Sequence, residues 1–226
     1  MSWLDERDDW EGDYGSIIRP FPLGLRLTFD YTSKTGKQST RTVQVREYGE
    51  TGFGVMLIGF CESRQAQRTF MASRIANCRD ADAGQEIGSI SNYLDSHYRK
   101  SVDFTLDTIF NLYLEALKIF VYFFRADGKI MAPERQLLLV FCKVVVPDER
   151  LDDEQIRKLV DFTPLLSNHG FKVEVGRLAE KNVLLLSEVL RICRDSIASK
   201  KSPSGSELDA VEYIAKRIKK APPQAY

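Results

Sequence analysis

Histidine and cysteine are scarce in this chain, with two of the first and four of the second among 226 residues. His97 and His169 stand in polar stretches with no Cys or acidic partner at metal-ligand or triad spacing. Cys61, Cys78, Cys142 and Cys193 are scattered through apolar surroundings and form no C-x-x-C pair. That pattern predicts buried thiols in a reducing compartment rather than disulfides or zinc. A Gly-rich phosphate loop, H-E-x-x-H and G-x-S-x-G are all missing, so none of the motif-bearing enzyme classes is indicated. The formal net charge is zero, and bulk basicity therefore does not point to nucleic acid. The start lacks the basic-then-apolar profile of a secretory leader, and a cytoplasmic protein is expected. Even the most apolar stretch is punctuated by Asp103, Asp107, Glu115 and Lys118, which argues against a membrane span.

Charge is present but unevenly placed. Asp5, Glu6, Asp8, Asp9, Glu11 and Asp13 face only Arg7 in residues 1–16, where Trp3, Trp10 and Tyr14 are interspersed. This composition predicts a flexible acidic arm, with docking of its aromatics into a groove as the alternative. Arg41, Arg46, Arg64, Arg68, Arg74 and Arg79 then follow in the first folded region.

From Leu23 the hydrophobic period is two. Leu25, Leu27, Phe29 and Tyr31 alternate with Arg26, Thr28 and Asp30, the pattern of a strand with one buried face. Lys34-Thr35-Gly36-Lys37 is a turn, and the alternation resumes over residues 41–46, giving a hairpin. Val55 to Cys61 is apolar throughout, as in a strand covered on both faces. Two short strands, Arg68–Met71 and Ile75–Cys78, flank Ala72-Ser73-Arg74. Five short strands with tight turns predict a small barrel or strongly bent sheet.

Past a polar connector over Ile87–Lys100 that contains one apolar patch, Ile90, Tyr93 and Leu94, the period becomes helical. Leu106, Ile109, Phe110, Tyr113, Leu114, Leu117, Phe120, Val121 and Phe124 recur at three- and four-residue steps. They predict the central helix of a bundle. It stops at Ala126-Asp127-Gly128, and a new helix starts at Pro133-Glu134 with Leu137, Leu138, Val140, Phe141, Val144 and Val145 on its core face. Asp152 to Gln155 has capping-box form and opens a helix that runs to Pro164. Further helices are expected over Asn182–Ala198 and after Ser206, the last with Leu208, Val211, Ile214, Ala215 and Ile218 inward. The fold class is thus α+β: an acidic arm (1–16), a β-barrel domain (17–95), a linker (96–103), an all-α helical bundle (104–220) and a tail (221–226).

Two family resemblances attach to these regions. Arg41, the Leu57-Ile58-Gly59-Phe60-Cys61 strand, Arg68-Thr69-Phe70, Ser73-Arg74-Ile75 and the Ala83-Gly84-Gln85-Glu86 turn resemble the WYL domain. Val55-Met56-Leu57 stands where that family has its naming triplet. The resemblance implies an Sm-like barrel that senses nucleic acid or nucleotide-like ligands through basic residues. Arginine forks suit phosphate oxygens on their own account. The candidate ligand-binding residues are therefore Arg41, Arg68 and Arg74, with Phe60, Phe70 or Tyr31 as a stacking face. Salt-bridging of the arginines to Glu47, Glu62 and Asp80 is the competing reading.

Ala126-Asp127-Gly128-Lys129-Ile130 followed by Pro133-Glu134, between apolar helices, resembles the TerB-like domain of tellurite-resistance proteins. That resemblance implies a divalent metal at Asp127 and Glu134, whereas turn-making by Asp127-Gly128 and capping by Glu134 explain the same residues without one. No other cofactor is expected.

Three functions follow. The first is a non-enzymatic ligand sensor or adaptor, in which the barrel takes a nucleotide, oligonucleotide or other anion and the bundle relays this to a protein partner. Stress response or phage defence would be its setting, by resemblance. The others are a protein-interaction scaffold and a metal-responsive bundle.

Overall fold

Alternation decides the N-terminal half. In a computed structural model of the chain, residues 18–20, 25–52, 54–126 and 128–221 are described. They form two compact units, one ending at Phe104 and the other beginning at Thr105. In the first, Leu27, Phe29 and Tyr31 of strand β2 (Arg26–Thr32) are buried, as are Val43 and Val45 of β3 (Gln38–Thr51). The residues between them line the opposite face, as the period of two predicts. Strand β4 (Gly54–Cys61) is buried without a break from Met56 to Gly59. Strands β5 (Ala66–Met71) and β6 (Ile75–Asp80) follow, joined by a single 3₁₀ turn at Ala72–Arg74.

The sheet is antiparallel, in the order β5-β4-β3-β2-β6, and the short β1 (Ile18–Pro20) pairs with β3. An α+β protein is what the structure shows, but the expected Sm-like barrel is not closed. β5 pairs with β4 and β6 with β2, and no ladder joins β5 to β6 among the described residues. The three residues between the two edge strands are wound into the 3₁₀ turn and contribute no strand pairing there.

The sheet is nonetheless strongly curled. Phe70 of β5 meets Phe29 and Tyr31 of β2 edge-on, with ring centroids 5.3 and 5.1 Å apart, although two strands lie between them in the ladder. The register shift of β3 at Arg46 and the glycine at position 59 permit that curl. A Cβ on Gly59 would lie 2.5 Å from the Gln44 carbonyl oxygen and 2.6 Å from Val43 Cγ1, so only glycine fits there.

The stretch read as a polar connector is helical. Helix α1 (Ile90–Arg99) is capped by Ser89 Oγ, which accepts from Asn92 N at 3.4 Å. Leu94 and Tyr98 enter the sheet's own core, Tyr98 edge-on to Tyr48. The apolar patch of Ile90, Tyr93 and Leu94 joins Tyr98 at helical spacing, and together they pack against the sheet. Residues 96–103 are therefore no linker, since α1 fills them up to Arg99 and α2 begins at Val102.

The second unit is all helical: the remainder of α2 (Val102–Phe124), α3 (Ala132–Val145), α4 (Asp153–Phe162), α5 (Asn168–Lys181), α6 (Val183–Ser199) and α7 (Gly205–Lys220). α2 buries Leu106, Ile109, Leu117, Phe120, Val121 and Phe124 as expected, with a break in helical geometry at Tyr113. The Asp152–Gln155 capping box forms as predicted. Three expectations fail. α5 has no counterpart in the sequence reading. α7 is capped by Ser204 rather than Ser206, and its buried residues are Glu207, Ala210 and Ile214, with Leu208 turned out. On α3 Val140 and Val144 are exposed, while Leu138, Phe141 and Cys142 are inside. The acidic arm (1–16) and the last five residues lie outside the described residues.

Leu94→Ala tests whether α1 belongs to the core. Truncating a fully buried leucine costs about 2–5 kcal/mol, so urea unfolding should register a loss of that order, whereas a connector residue would show almost none.

Candidate anion-binding hollow

The β2–β3 turn is held tightly by its own backbone. Ser33 N donates to Lys37 O (2.9 Å), Gly36 N to Ser33 O (3.0 Å) and Lys37 N to Ser33 Oγ (3.0 Å). Gly36, at φ +83°, supplies the left-handed residue the turn needs. This fixes Ser33 and Lys34 opposite the 3₁₀ turn that carries Ser73 and Arg74. Between the two lies an open hollow of about 370 Å³. Lys34 and Arg74 line it together with Thr32, Ser33 and Ser73, and Ile75 and Ala76 complete it; the Ser33 hydroxyl is engaged with Lys37 N and Thr35 Oγ1 within the turn. Cations and hydroxyls with no carboxylate among them suit an anion.

The path of β6 shapes this hollow. Asn77 sits at φ +48°, and its Nδ2 donates to Asp30 Oδ2 at 2.9 Å. The β2–β6 register shifts between Thr28 and Asp30. Thr40 Oγ1 also donates to Asp30, at 2.6 Å. The hydrogen bonds from Thr40 and Asn77 hold the Asp30 carboxyl below the usual carboxylate range. Asp30 is thus anchored as an ion beside the bulge, and asparagine is one of the few side chains that tolerate the left-handed geometry at position 77.

The residues singled out from the sequence are not all brought together. Arg74 lines the hollow, but Arg41 and Arg68 do not. Arg41, opposite Phe29 in the ladder, donates through Nη1 to Ser63 Oγ at 3.0 Å. Arg68 lies opposite Gly59, two strands across and four residues along from Arg41. Among the described residues the side chains of Arg68 and Arg74 make no hydrogen bond or ion pair.

Two of the three carboxylates proposed as their partners are engaged elsewhere. Glu62 accepts from Arg26 at 2.8 Å. Asp80 accepts from Ala83 N and Tyr93 Oη.

The stacking face fails for a physical reason. Phe70 and Tyr31 are 97% buried and packed against each other, so neither ring can receive a base. Phe60 pairs with Gln67, one position along from the Gly59–Arg68 pair, and so projects from the opposite face of the sheet to Arg68. Sequence reasoning missed Lys34, Ser33 and Ser73. The pair of lysines in the Lys34–Lys37 turn was the available signal.

The cysteines match their expectation: all four are buried and unpaired. Burial pushes the Cys78 thiol up to about 11 and Cys142 up to about 12, which leaves no thiolate for nucleophilic chemistry near neutrality. Asp127 lies outside the described residues. Glu134 is buried, accepts from Met131 N through Oε2 (2.8 Å), and has Lys200 Nζ 2.7 Å from Oε1. With one oxygen on a backbone N–H and the other on an ammonium, this carboxylate does not fit a metal-ligand role. Among the described residues there is no cluster of three metal-ligating side chains, and no helix is long and apolar enough to cross a membrane.

The anchor at position 77 is open to test. Asn77→Val should lower stability by about 1–2 kcal/mol, the cost of a left-handed β-branched residue, while Asn77→Gly should lose less in the same urea titration.

No family model matches this chain, and neither does any curated protein. Among solved structures, proteasome accessory factor B/C (PafBC) of Arthrobacter aurescens aligns at 11% identity and a TM-score of 0.26. The alignment covers 86% of this chain and 47% of that one, so the chain spans about half the length of the structure it matches. A superposition at that TM-score fixes neither fold nor function.

Proposed function

We propose that this protein is a non-enzymatic, cytoplasmic ligand-binding adaptor whose first unit takes an anionic ligand in the hollow between the β2–β3 turn and the 3₁₀ turn. The observation that carries the reading is Arg74, a permanently charged fork with no carboxylate partner among the described residues, lining a hollow with Lys34, Thr32, Ser33 and Ser73. A phosphate is the natural complement, since guanidinium and hydroxyl donors match its oxygens. With Tyr31 and Phe70 consumed by the core, the ligand is held by its charge and not by stacking. A nucleotide or the backbone of an oligonucleotide fits that description. The resemblance of Arg68 to Ile75 to the WYL domain supports the same assignment.

The helical unit serves as the relay to a protein partner in this proposal. Its large exposed apolar side chains, Phe162 at 75% and Leu165 at 63%, suit a protein interface. The TerB-like resemblance places such a relay in a stress or defence response.

Binding of a fluorescent single-stranded oligonucleotide, followed across a salt series, tests the site. Wild-type affinity should fall with salt. Arg74→Ala should weaken binding by about tenfold or more, the value of a charge-assisted hydrogen bond, with a melting temperature near that of the wild type. Arg68→Ala lies off the hollow and should leave affinity nearly unchanged. Equal losses for the two variants would move the ligand away from this hollow, and binding insensitive to Arg74 would overturn the proposal.

A further inference from the structure

Two of the most deeply buried charges in the helical unit belong to capping glutamates. Glu134 is the third residue of α3 and Glu207 the third of α7, and their side chains are 3% and 2% exposed. Each turns Oε2 back to its own helix start: Glu134 accepts from Met131 N and Glu207 from Ser204 N, both at 2.8 Å. The other oxygen of each points to one place. Lys200 Nζ stands there, 2.7 Å from Glu134 Oε1 and 2.6 Å from Glu207 Oε1. The lysine comes from the turn after α6, so one ammonium ties together the beginnings of two helices that are far apart in sequence.

Two carboxylates and one ammonium leave a surplus negative charge on carboxyl groups almost closed to water, with the lysine reaching them from a part-exposed turn. Such an arrangement is stable only while the cation is present, because an uncompensated buried carboxylate is strongly unfavourable. Two converging oxygens with a cation between them is also the geometry that hard divalent ions seek. Small ions such as magnesium bind through one or two carboxylates and fill the rest of their shell with water.

We propose that Lys200 is a built-in cation: its ammonium fills a two-carboxylate seat, so the α3–α7 junction holds without metal, and the seat takes a divalent ion once the lysine is removed. The metal expected at Glu134 is on this account replaced by a side chain of the same chain. Position 200 carries no such meaning in the sequence, where Lys200-Lys201 reads as part of a solvated loop.

Thermal melting of the full chain with excess EDTA or with Mn²⁺ decides the matter. The wild-type midpoint should be the same in both. Lys200→Ala should melt roughly 10 °C lower in EDTA, and Mn²⁺ should restore most of that loss. Lys200→Ala/Glu207→Gln removes the surplus charge along with the cation, and should fold in EDTA and ignore Mn²⁺. If Lys200→Ala is unfolded in EDTA, Mn²⁺ should refold it. A wild type that loses stability in EDTA would show a resident metal and overturn the proposal. So would a Lys200→Ala protein that melts like the wild type, or one that fails to respond to Mn²⁺ while the double variant folds.

Discussion

The contact of Phe70 with Phe29 and Tyr31 governs the first unit. These rings belong to strands β5 and β2, which share no ladder, yet their centroids lie within 5.3 Å. Edge-to-face packing of this kind adds about 0.5–1.5 kcal/mol per pair beyond the burial of the rings themselves. To make it, β3 and β4 must bend between the outer strands. The missing Cβ at Gly59 and the bulge at Arg46 are where the backbone yields. Tyr31 adds a polar stitch, its Oη accepting from Met71 N at 3.4 Å. The curl brings the two edges of the sheet close enough for three residues to connect them. Those residues, Ala72 to Arg74, carry the one arginine that reaches the hollow.

The same contact restricts the chemistry. A ring that closes a core cannot also stack on a base, so Tyr31 and Phe70 shape the binding unit without touching a ligand. What remains at the hollow is charge and hydroxyl. Burial raises the Cys78 and Cys142 thiols, and His97 lies against Tyr93 with ring centroids 4.4 Å apart. Tyr93 itself, pushed up to about 12 by burial and its bond to Asp80, holds its proton at neutral pH.

Much of this was legible in the sequence, and the rest failed for identifiable reasons. Strict alternation located β2 and β3, because a half-buried strand writes its period into the residues. The central helix was legible from its three- and four-residue steps, and the Asp152 cap from its capping-box residues. α1 was lost because its apolar patch, Ile90, Tyr93 and Leu94, is short and most of the residues around it are polar. The registers of α3 and α7 were misjudged because exposed Val140, Val144 and Leu208 resemble core residues by type alone. Curling and face assignment are tertiary facts. Nothing in the spacing of Phe60, Arg68 and Phe70 says that one ring lies behind the sheet and another within its core. Closure of the barrel depends likewise on whether two edges pair, which strand patterns do not specify.

Arg74 and Lys200 show how one kind of charge is put to two uses. An ammonium placed between Glu134 and Glu207 is paired by the fold, and the fold depends on it: removing the lysine leaves two buried carboxylates uncompensated. Arg74 is half-buried beside a hollow, and its side chain has no hydrogen bond or ion pair among the described residues. In the proposed reading its loss leaves the folded state nearly as it was, and its donors stay available to an anion. Stability and recognition are separated by burial, since a cation already satisfied inside the protein has little left to offer a ligand. This is why, of the basic residues in the first unit, Arg74, beside an open hollow and with no carboxylate partner among the described residues, is the one to which binding is assigned in the proposal.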